Sequence, residues 1–149
     1  MAKHGRTAIS LDAKSRLAIP ARYRDVLAPN GEPVTLVAHE KQRCLSIYSQ
    51  EDWKPILEKL AALDDTIPAN YRLKYKRLAF SHTETLDTAG RVLIPKSLRD
   101  YAGLDKQVVL AGMGDRYDLW SEEGDRKLHE GFQVGEEDVL SLMQEGGEP

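Results

Sequence analysis

The sequence predicts an α+β fold of two tandem ββαββ halves. The first observation behind this prediction is an internal repeat: residues 11–25 return as residues 86–100 without a gap, identical at seven of fifteen positions and offset by 75 residues. The second is that each copy reaches an Ile-Pro pair, which is typical of a strand that gives way to a helix. A half of about 50 residues is too small to bury a stable core by itself, so we expect the halves to pack around a pseudo-two-fold axis.

Each half begins with two β-prone runs around a four-residue turn. In the first half the runs are 6–11 and 16–19, the turn is 12–15, and a short helix is predicted at 20–27. The matching runs of the second half are 82–86 and 91–94, with a turn at 87–90 and a helix at 95–102. Gly90 supplies positive φ in the second turn, whereas Ser15 at the equivalent place reaches that conformation less easily. We expect Pro20 and Pro95 to occupy the first helical positions.

The rest of each half is predicted as a hairpin followed by a helix. Residues 39–42 and 112–115 have the composition of hairpin tips, and Ser49 and Ser121 stand where a serine would cap the next helix. Helical spacing is present at 51–63 and 69–79, and more weakly at 133–149. The predicted segments are a first half at 6–50, a helical connector at 51–80, a second half at 81–124, and a C-terminal helix with an acidic tail at 125–149.

Charge is distributed unevenly along a chain whose net charge is −3. Residues 1–24 contain six Lys or Arg against one acidic residue, and residues 70–99 contain seven against two, so that each block carries a charge of +5. Residues 115–149 contain eleven acidic residues against three basic ones. A basic block can be an ordinary solvated face, but two blocks on the same repeated motif favour nucleic-acid binding.

Several classes of protein have little support. Hydrophobic residues make up 41% of the chain, yet no apolar run approaches the ~20 residues that span a bilayer. A single cysteine, Cys44, is typical of a reducing cytoplasm and is expected to be a small buried hydrophobe. The four histidines lack metal-ligand spacing, and no glycine-rich phosphate loop is present. We therefore expect neither an enzyme nor a cofactor, a metal site, a small-molecule substrate or a membrane partner.

The repeated motif resembles the SpoVT-AbrB family of swapped-hairpin DNA-binding domains. The residues that carry the resemblance are Leu11-Asp12-x-Lys14-x-Arg16-Leu17-x-Ile19-Pro20 and Leu86-Asp87-x-Ala89-Gly90-Arg91-Val92-Leu93-Ile94-Pro95. Their tandem arrangement is similar to the MraZ family, with Ser15 departing from the usual glycine. This resemblance implies swapped-hairpin halves in a pseudo-two-fold β-barrel with flanking helices. It also implies a transcriptional regulator of division and cell-wall genes that binds promoter repeats of its own operon as a ring and associates with the nucleoid.

The predicted DNA-binding residues lie on the repeated motif. Arginine has a planar fork that matches guanine O6/N7 and phosphate, so Arg16 and Arg91 are the principal candidates. Asp12 and Asp87 are expected to orient these arginines and close the turns, and Lys14 to touch a phosphate or a base edge. By resemblance, Arg24 and Arg99 lie near the DNA backbone. Weaker candidates are Lys3, Arg6, Arg22 and Lys96.

Other interpretations remain open at this point. Each Asp-x-x-x-Arg turn could be a structural ion pair, with or without DNA contact. The basic helix around residues 72–77 could be a second DNA face, a solvated surface or a subunit contact. A core or interface role is favoured over base stacking for the aromatic residues Trp53, Trp120 and Tyr48. An antitoxin-like protein could bind a partner through the acidic tail at 136–149, and a purely structural ring would not bind DNA.

Overall fold

The computed structural model describes residues 2–146 and is α+β, as predicted. The strands are β1 (Arg6–Ser10), β2 (Arg16–Ala18), β3 (Val34–Ala38), β4 (Leu45–Ser49), β5 (His82–Glu84), β6 (Arg91–Leu93), β7 (Gln107–Gly112) and β8 (Tyr117–Ser121). The α-helices are α1 (Ala21–Leu27), α2 (Gln50–Ala61), α3 (Pro68–Lys74), α4 (Lys96–Ala102), α5 (Glu122–Glu130) and α6 (Glu136–Gly146). A 3₁₀ turn covers Pro29–Gly31, and a π-helical turn at Tyr75–Ala79 extends α3.

The sheet topology relates the two halves symmetrically. Six strands form an antiparallel sheet in the order β1-β7-β8-β4-β3-β5. The 75-residue repeat makes β1 equivalent to β5 and β3 equivalent to β7. The strand order is therefore symmetric: it reads the same from either edge of the sheet when each strand is replaced by its equivalent in the other half. β2 and β6 form a separate antiparallel pair. Each half therefore contributes its first strand to the edge of the other half's hairpin.

The strands that flank each repeated turn lie in different sheets. β1 pairs with β7, while β2, only a few residues later, pairs with β6. The predicted runs were correctly located, but they do not form a local hairpin around the turn. The physical reason is that each run finds its backbone partners in the other half, which satisfies its N–H and C=O groups across the pseudo-two-fold axis.

The main core is shared between the halves. Leu17 on β2 and Val92 on β6 belong to the same buried cluster as Leu36 on β3 and Leu110 on β7. Tyr23 and Tyr117 add a ring contact at 4.6 Å between centroids. Because equivalent residues from both halves fill one interior, neither half has a separate core, which agrees with the size argument made from the sequence.

A second cluster lies on the opposite face of the large sheet. Val37 and Tyr48 pack there against Trp53 and Leu60 of α2. Tyr48 and Trp53 have ring centroids 5.5 Å apart. Trp53, Trp120 and Tyr48 are all buried, in agreement with the expected core role.

The basic helix around residues 72–77 directs much of its charge inward. Arg77 is buried, donates to the carbonyl of Ala38 at 2.9 Å and approaches Glu40 at 3.4 Å. Lys74 donates to Asp65 at 3.1 Å, and Lys76 to the carbonyl of Glu40 at 3.0 Å. The contacts of Arg77 and Lys76 hold the connector against the end of β3, and that of Lys74 lies within the connector, so they favour a structural role over a second DNA face.

Helix starts were located well, with one shift. Ser49 and Ser121 cap α2 and α5, where their hydroxyls accept from backbone N–H groups at 3.3 and 2.9 Å, as predicted. Pro20 and Pro95 stand one position earlier than expected, at the N-cap, with ψ of 140° and 147°. Their carbonyls accept the first helical hydrogen bonds, so the extended backbone of the strand persists through the proline.

The C-terminal segment ends in a helix with exposed apolar residues. α6 begins with Glu136, Glu137 and Asp138, and the part of the predicted acidic tail at 147–149 lies outside the described residues. Its exposed apolar side chains are Val139, Leu140, Leu142 and Met143. Between residues 2 and 146, no helix combines the length and the apolar character needed to cross a membrane.

Candidate nucleic-acid interface

The first turn is held by the carboxylate of Asp12. Asp12 Oδ1 accepts from the backbone N–H groups of Lys14 and Arg16, both at 2.9 Å, and Oδ2 accepts from Arg16 Nε at 2.7 Å. The backbone closes the same loop, because Ser15 N donates to the Asp12 carbonyl at 2.9 Å. The N–H of Arg16 above all lowers the pKa of Asp12, since these donors stabilise the charged carboxylate.

The second turn repeats this geometry. Asp87 Oδ1 accepts from the N–H groups of Ala89 and Arg91 at 2.9 Å, and Oδ2 accepts from Arg91 Nε at 2.9 Å. Gly90 N donates to the Asp87 carbonyl at 2.9 Å, with φ of 75° at Gly90. The pKa of Asp87 is lowered for the same reason, with the N–H of Arg91 as the largest cause. Aspartate at the first position thus closes both turns, as predicted.

The β2–β6 pair brings the two turns together. Arg16 Nη1 lies 3.9 Å from Asp87 Oδ2, and Arg91 Nη1 lies 3.9 Å from Asp12 Oδ2. The four side chains form a ring of alternating charge across the pseudo-two-fold axis. Among the described residues, the terminal guanidinium nitrogens make no hydrogen bond, and the side chains of Arg16 and Arg91 are 29% and 36% exposed. Each arginine is therefore oriented through Nε, and the rest of its guanidinium is partly exposed.

Two further residues share the outer face of β2 and β6. In this antiparallel register Arg16 lies opposite Leu93, and Ala18 lies opposite Arg91. Leu17 and Val92 point inward, while Ala18 and Leu93 are exposed. These two positions are not among the predicted site residues, although the two-residue spacing from each arginine along a strand places them on the same face. On the outer face, the two arginines and the two apolar residues therefore occupy alternate corners of the strand pair.

Arg24 reaches from α1 to the turn of the other half. Its Nε donates to the carbonyl of Ile19 at 2.8 Å, and its Nη2 donates to the carbonyl of Ala89 at 3.1 Å. The guanidinium lies directly against Gly90: a Cβ built there would be 2.2 Å from Arg24 Cζ. Glycine in the second turn thus allows both positive φ and this close approach, and a larger residue there would have to displace the Arg24 guanidinium.

Arg99 makes the reciprocal contact from α4 to the first turn, but with different atoms. Its Nη1 donates to Ser15 Oγ at 2.6 Å. Ser15 has φ of 61°, the left-handed conformation that serine reaches less easily than glycine. Arg99 Nε is buried and has no hydrogen-bond partner within the part of the chain that the structure describes.

A family model described as "MraZ protein, putative antitoxin-like" matches residues 3–76 and 79–131. The chain belongs to the MraZ family. It is 48% identical over 126 residues to the transcriptional regulator MraZ of Azoarcus sp. strain BH72, covering 85% of each chain. It is 44% identical over 138 residues to the protein of the same name from Aromatoleum aromaticum, covering 93% of this chain and 88% of the relative. For the MraZ of Thiobacillus denitrificans the identity is 45% over 118 residues, with 79% and 80% covered.

The other basic candidates of this MraZ-family chain differ in accessibility. Lys14 is exposed at the tip of the first turn, where the second turn has Ala89. Lys3 is buried and donates to Asp52 at 2.7 Å, so it is not free to reach a phosphate. Arg6 is paired with Asp125 at 2.5 Å. The remaining two are an exposed Arg22, which contacts Thr7 and the ring of Tyr23, and an exposed Lys96, which is paired with Asp100.

Residues with metal or nucleophile chemistry lie apart from this face. Across residues 2–146, no group of three or more His, Cys, Asp or Glu is arranged to hold a metal ion. Cys44 is fully buried in the core, and desolvation raises the pKa of its thiol. His39 Nδ1 accepts from the N–H groups of Lys41 and Gln42 at 3.0 and 2.9 Å, which assigns it to a hairpin tip.

Proposed function

We propose that this protein is a transcriptional regulator that binds double-stranded DNA sequence-specifically through the paired Asp-x-x-x-Arg turns. The observation that carries the proposal is the ring of Asp12, Arg16, Asp87 and Arg91, in which two guanidinium groups are oriented and partly exposed on one face. The names of the relatives, which are transcriptional regulators, support the same role.

The proposed chemistry follows from how each arginine is held. Asp12 binds Nε of Arg16 and leaves both terminal nitrogens to donate to guanine O6 and N7 in the major groove. Holding the side chain in advance reduces the rotamer entropy lost on binding. Arg91 acts in the same way beside Asp87, Lys14 contacts phosphate or a base edge, and Ala18 and Leu93 offer an apolar surface to a thymine methyl group.

The finer architecture is also a proposal. The exchange of first strands between the halves supports a swapped-hairpin arrangement, with the two sheets closing as a barrel around the shared core. The division at 6–50, 51–80, 81–124 and 125–149 stays a prediction. The β2–β6 pairing joins both turns above the shared core.

We further propose a homo-oligomeric ring that engages repeated promoter elements of its own operon, the division and cell-wall gene cluster, in the cytoplasm and in association with the nucleoid. Two exposed apolar surfaces support self-association. One consists of Tyr71, Tyr75 and Phe80, whose rings contact each other at 6.3 and 5.5 Å, and the other lies on α6. A ring would raise affinity for spaced repeats through effective concentration.

The test is a titration of DNA from upstream of its own gene with wild-type protein and with Arg16→Ala, Arg91→Ala and the double variant. Each single variant is expected to lose about 1–3 kcal/mol of specific binding per contacted site, and the double variant to bind no better than it binds unrelated DNA. The matched control is Arg126→Gln on α5, an exposed arginine that contacts Glu130. Wild-type affinity in the double variant would rule out the proposed interface.

An antitoxin-like protein, neutralising a partner through its C-terminal extension, is the second candidate. The observation in its favour is the exposed apolar face of α6 next to its acidic first turn. Light-scattering mass of the purified protein separates the two uses of this helix. A multiple of the chain mass that falls on truncation before Glu136 supports the ring, whereas a stoichiometric second protein supports the antitoxin.

A further inference from the structure

Arg24 and Arg99 are the two predicted DNA-binding arginines that bond to the turn of the opposite half. Each stands on a short helix of one half, and each guanidinium is directed at the turn of the other half. Arg24 donates from Nε and Nη2 to protein carbonyls, so two of its three guanidinium nitrogens are already engaged within the protein. Arg16 and Arg91 differ, because among the described residues they donate hydrogen bonds through Nε and not through their terminal nitrogens.

The contacts lie at the part of each turn that would face a ligand. Ala89 is exposed at the tip of the second turn, and Arg24 holds its carbonyl at 3.1 Å. Ser15 ends the first turn immediately before Arg16, and Arg99 holds its hydroxyl at 2.6 Å. Since the hydrogen bonds of Asp12 and Asp87 are local to each turn, Arg24 and Arg99 supply side-chain hydrogen bonds from the tips to the opposite half.

The backbone supports the same crossed arrangement. Ile19 N donates to the carbonyl of Gly90 at 2.9 Å, and Ile94 N donates to the carbonyl of Ser15 at 3.0 Å. Arg24 follows Ile19 onto α1, and Arg99 follows Ile94 onto α4, so that each turn is held by backbone and side chain of the same neighbouring segment. A displaced tip would carry its DNA-facing arginine with it.

We propose that Arg24 and Arg99 are positioning residues of the DNA-binding face: each acts by fixing the turn tip of the opposite half, and neither contacts DNA. This rests on the proposed function. It predicts that the loss caused by their substitution depends on the geometry of the guanidinium and not on its charge. A phosphate contact would give the opposite dependence, because lysine also binds phosphate.

The test uses full-length protein and DNA from upstream of its own gene, with Kd measured over a range of salt concentrations. Arg24→Lys keeps the charge but replaces a planar fork by one ammonium, so we expect a loss of specific affinity of about tenfold or more. Arg24→Gln removes the charge, and its salt slope should stay at the wild-type value. Lys14→Ala, if it removes a phosphate contact, provides the contrasting signature of a slope reduced by about one. Arg126→Gln controls for loss of a distant charge.

A second readout needs no DNA. The amide resonances of Ala89 and Gly90 should shift in Arg24→Lys, and that of Ser15 should shift in Arg99→Lys, while urea unfolding confirms that both variants fold. If Arg24→Lys does not fold, Arg99→Lys carries the same test, because within residues 2–146 the Arg99 guanidinium makes a single hydrogen bond.

The outcomes separate this inference from the proposed function. A slope reduced by about 0.9 in Arg24→Gln, together with wild-type affinity in Arg24→Lys, would show a phosphate contact and overturn the positioning role alone. Unchanged resonances in the opposite turn would also overturn it. If the wild-type protein does not bind the DNA at all, the proposed function fails first and this inference fails with it.

Discussion

The two turns have the same local structure but are held differently from outside. Asp12 and Asp87 accept equivalent hydrogen bonds, with the contact to arginine Nε at 2.7 and 2.9 Å. In the second turn, Gly90 lets the guanidinium of Arg24 lie against its backbone and bond two carbonyls. In the first, the side chain of Ser15 takes up that space.

Arg99 donates to the Ser15 hydroxyl and not to backbone carbonyls as Arg24 does, and its Nε has no partner among the described residues. A buried donor without a partner costs about 1–3 kcal/mol, and a left-handed residue other than glycine costs about 1–2 kcal/mol. The aspartate network therefore specifies each turn by itself, whereas the contact with the arginine of the opposite half depends on the size of one side chain in the turn. The first turn is therefore the weaker half of a nearly symmetric pair.

The largest change in stability is expected when the second turn is given the serine of the first turn. Gly90→Ser places a Cβ at positive φ and displaces Arg24, so the free energy of unfolding should fall by about 2–4 kcal/mol in urea. The matched control is Gly103→Ser, since Gly103 has φ of 62° with no atom within 4 Å of a built Cβ. Equal losses at the two positions would mean that displacement of Arg24 contributes nothing.

The reverse substitution, in the first turn, is expected to raise stability by a smaller amount. Ser15→Gly relieves the left-handed backbone and lets Arg99 adopt the geometry of Arg24, at the expense of one hydroxyl bond and a more flexible unfolded chain. We expect the free energy of unfolding to rise by about 0.5–1 kcal/mol. Asn30→Gly, at φ of 57° in an exposed 3₁₀ turn, controls for the backbone contribution. A loss of stability would show that the bond between Ser15 and Arg99 outweighs the strain.

The smallest expected effect is the loss of stability at low pH, which should be similar for the two turns. The pKa of Asp12 and that of Asp87 are both lower in the folded state than in the unfolded chain, so the unfolded chain binds protons more readily as pH falls. Their stabilisation is complete above the ordinary aspartate pKa of about 4 and is lost as pH falls through the lower folded value.

Urea midpoints at pH 7 and pH 3 measure this loss. Asp12→Asn and Asp87→Asn should each reduce the acid-induced change, by similar amounts, relative to the wild type. Both carboxylates are partly exposed, so the difference should be modest. A pH response that disappears in only one variant would show that the turns differ in their carboxylates as well as in their contacts with Arg24 and Arg99.

Much of the fold could be predicted because its signals are local. The turns, the strands on either side and the serine caps of α2 and α5 follow from residue types at fixed spacing. The candidate site could be predicted as residues: Asp12, Arg16, Asp87 and Arg91 do come together. The roles of Arg24 and Arg99 could not, because their partners lie 65 and 84 residues away in the chain.

By itself, the sequence determined that the protein has two equivalent halves, each with an aspartate-closed turn ahead of an arginine, because a gapless repeat imposes the same local hydrogen bonds twice. Only the tertiary structure decided that β1 joins β7, that β2 joins β6, and that each tip is braced from the opposite half. The physical reason is that backbone pairing and the reach of a guanidinium depend on distance in space. Spacing along the chain constrains such distances within one turn and leaves them open between the halves.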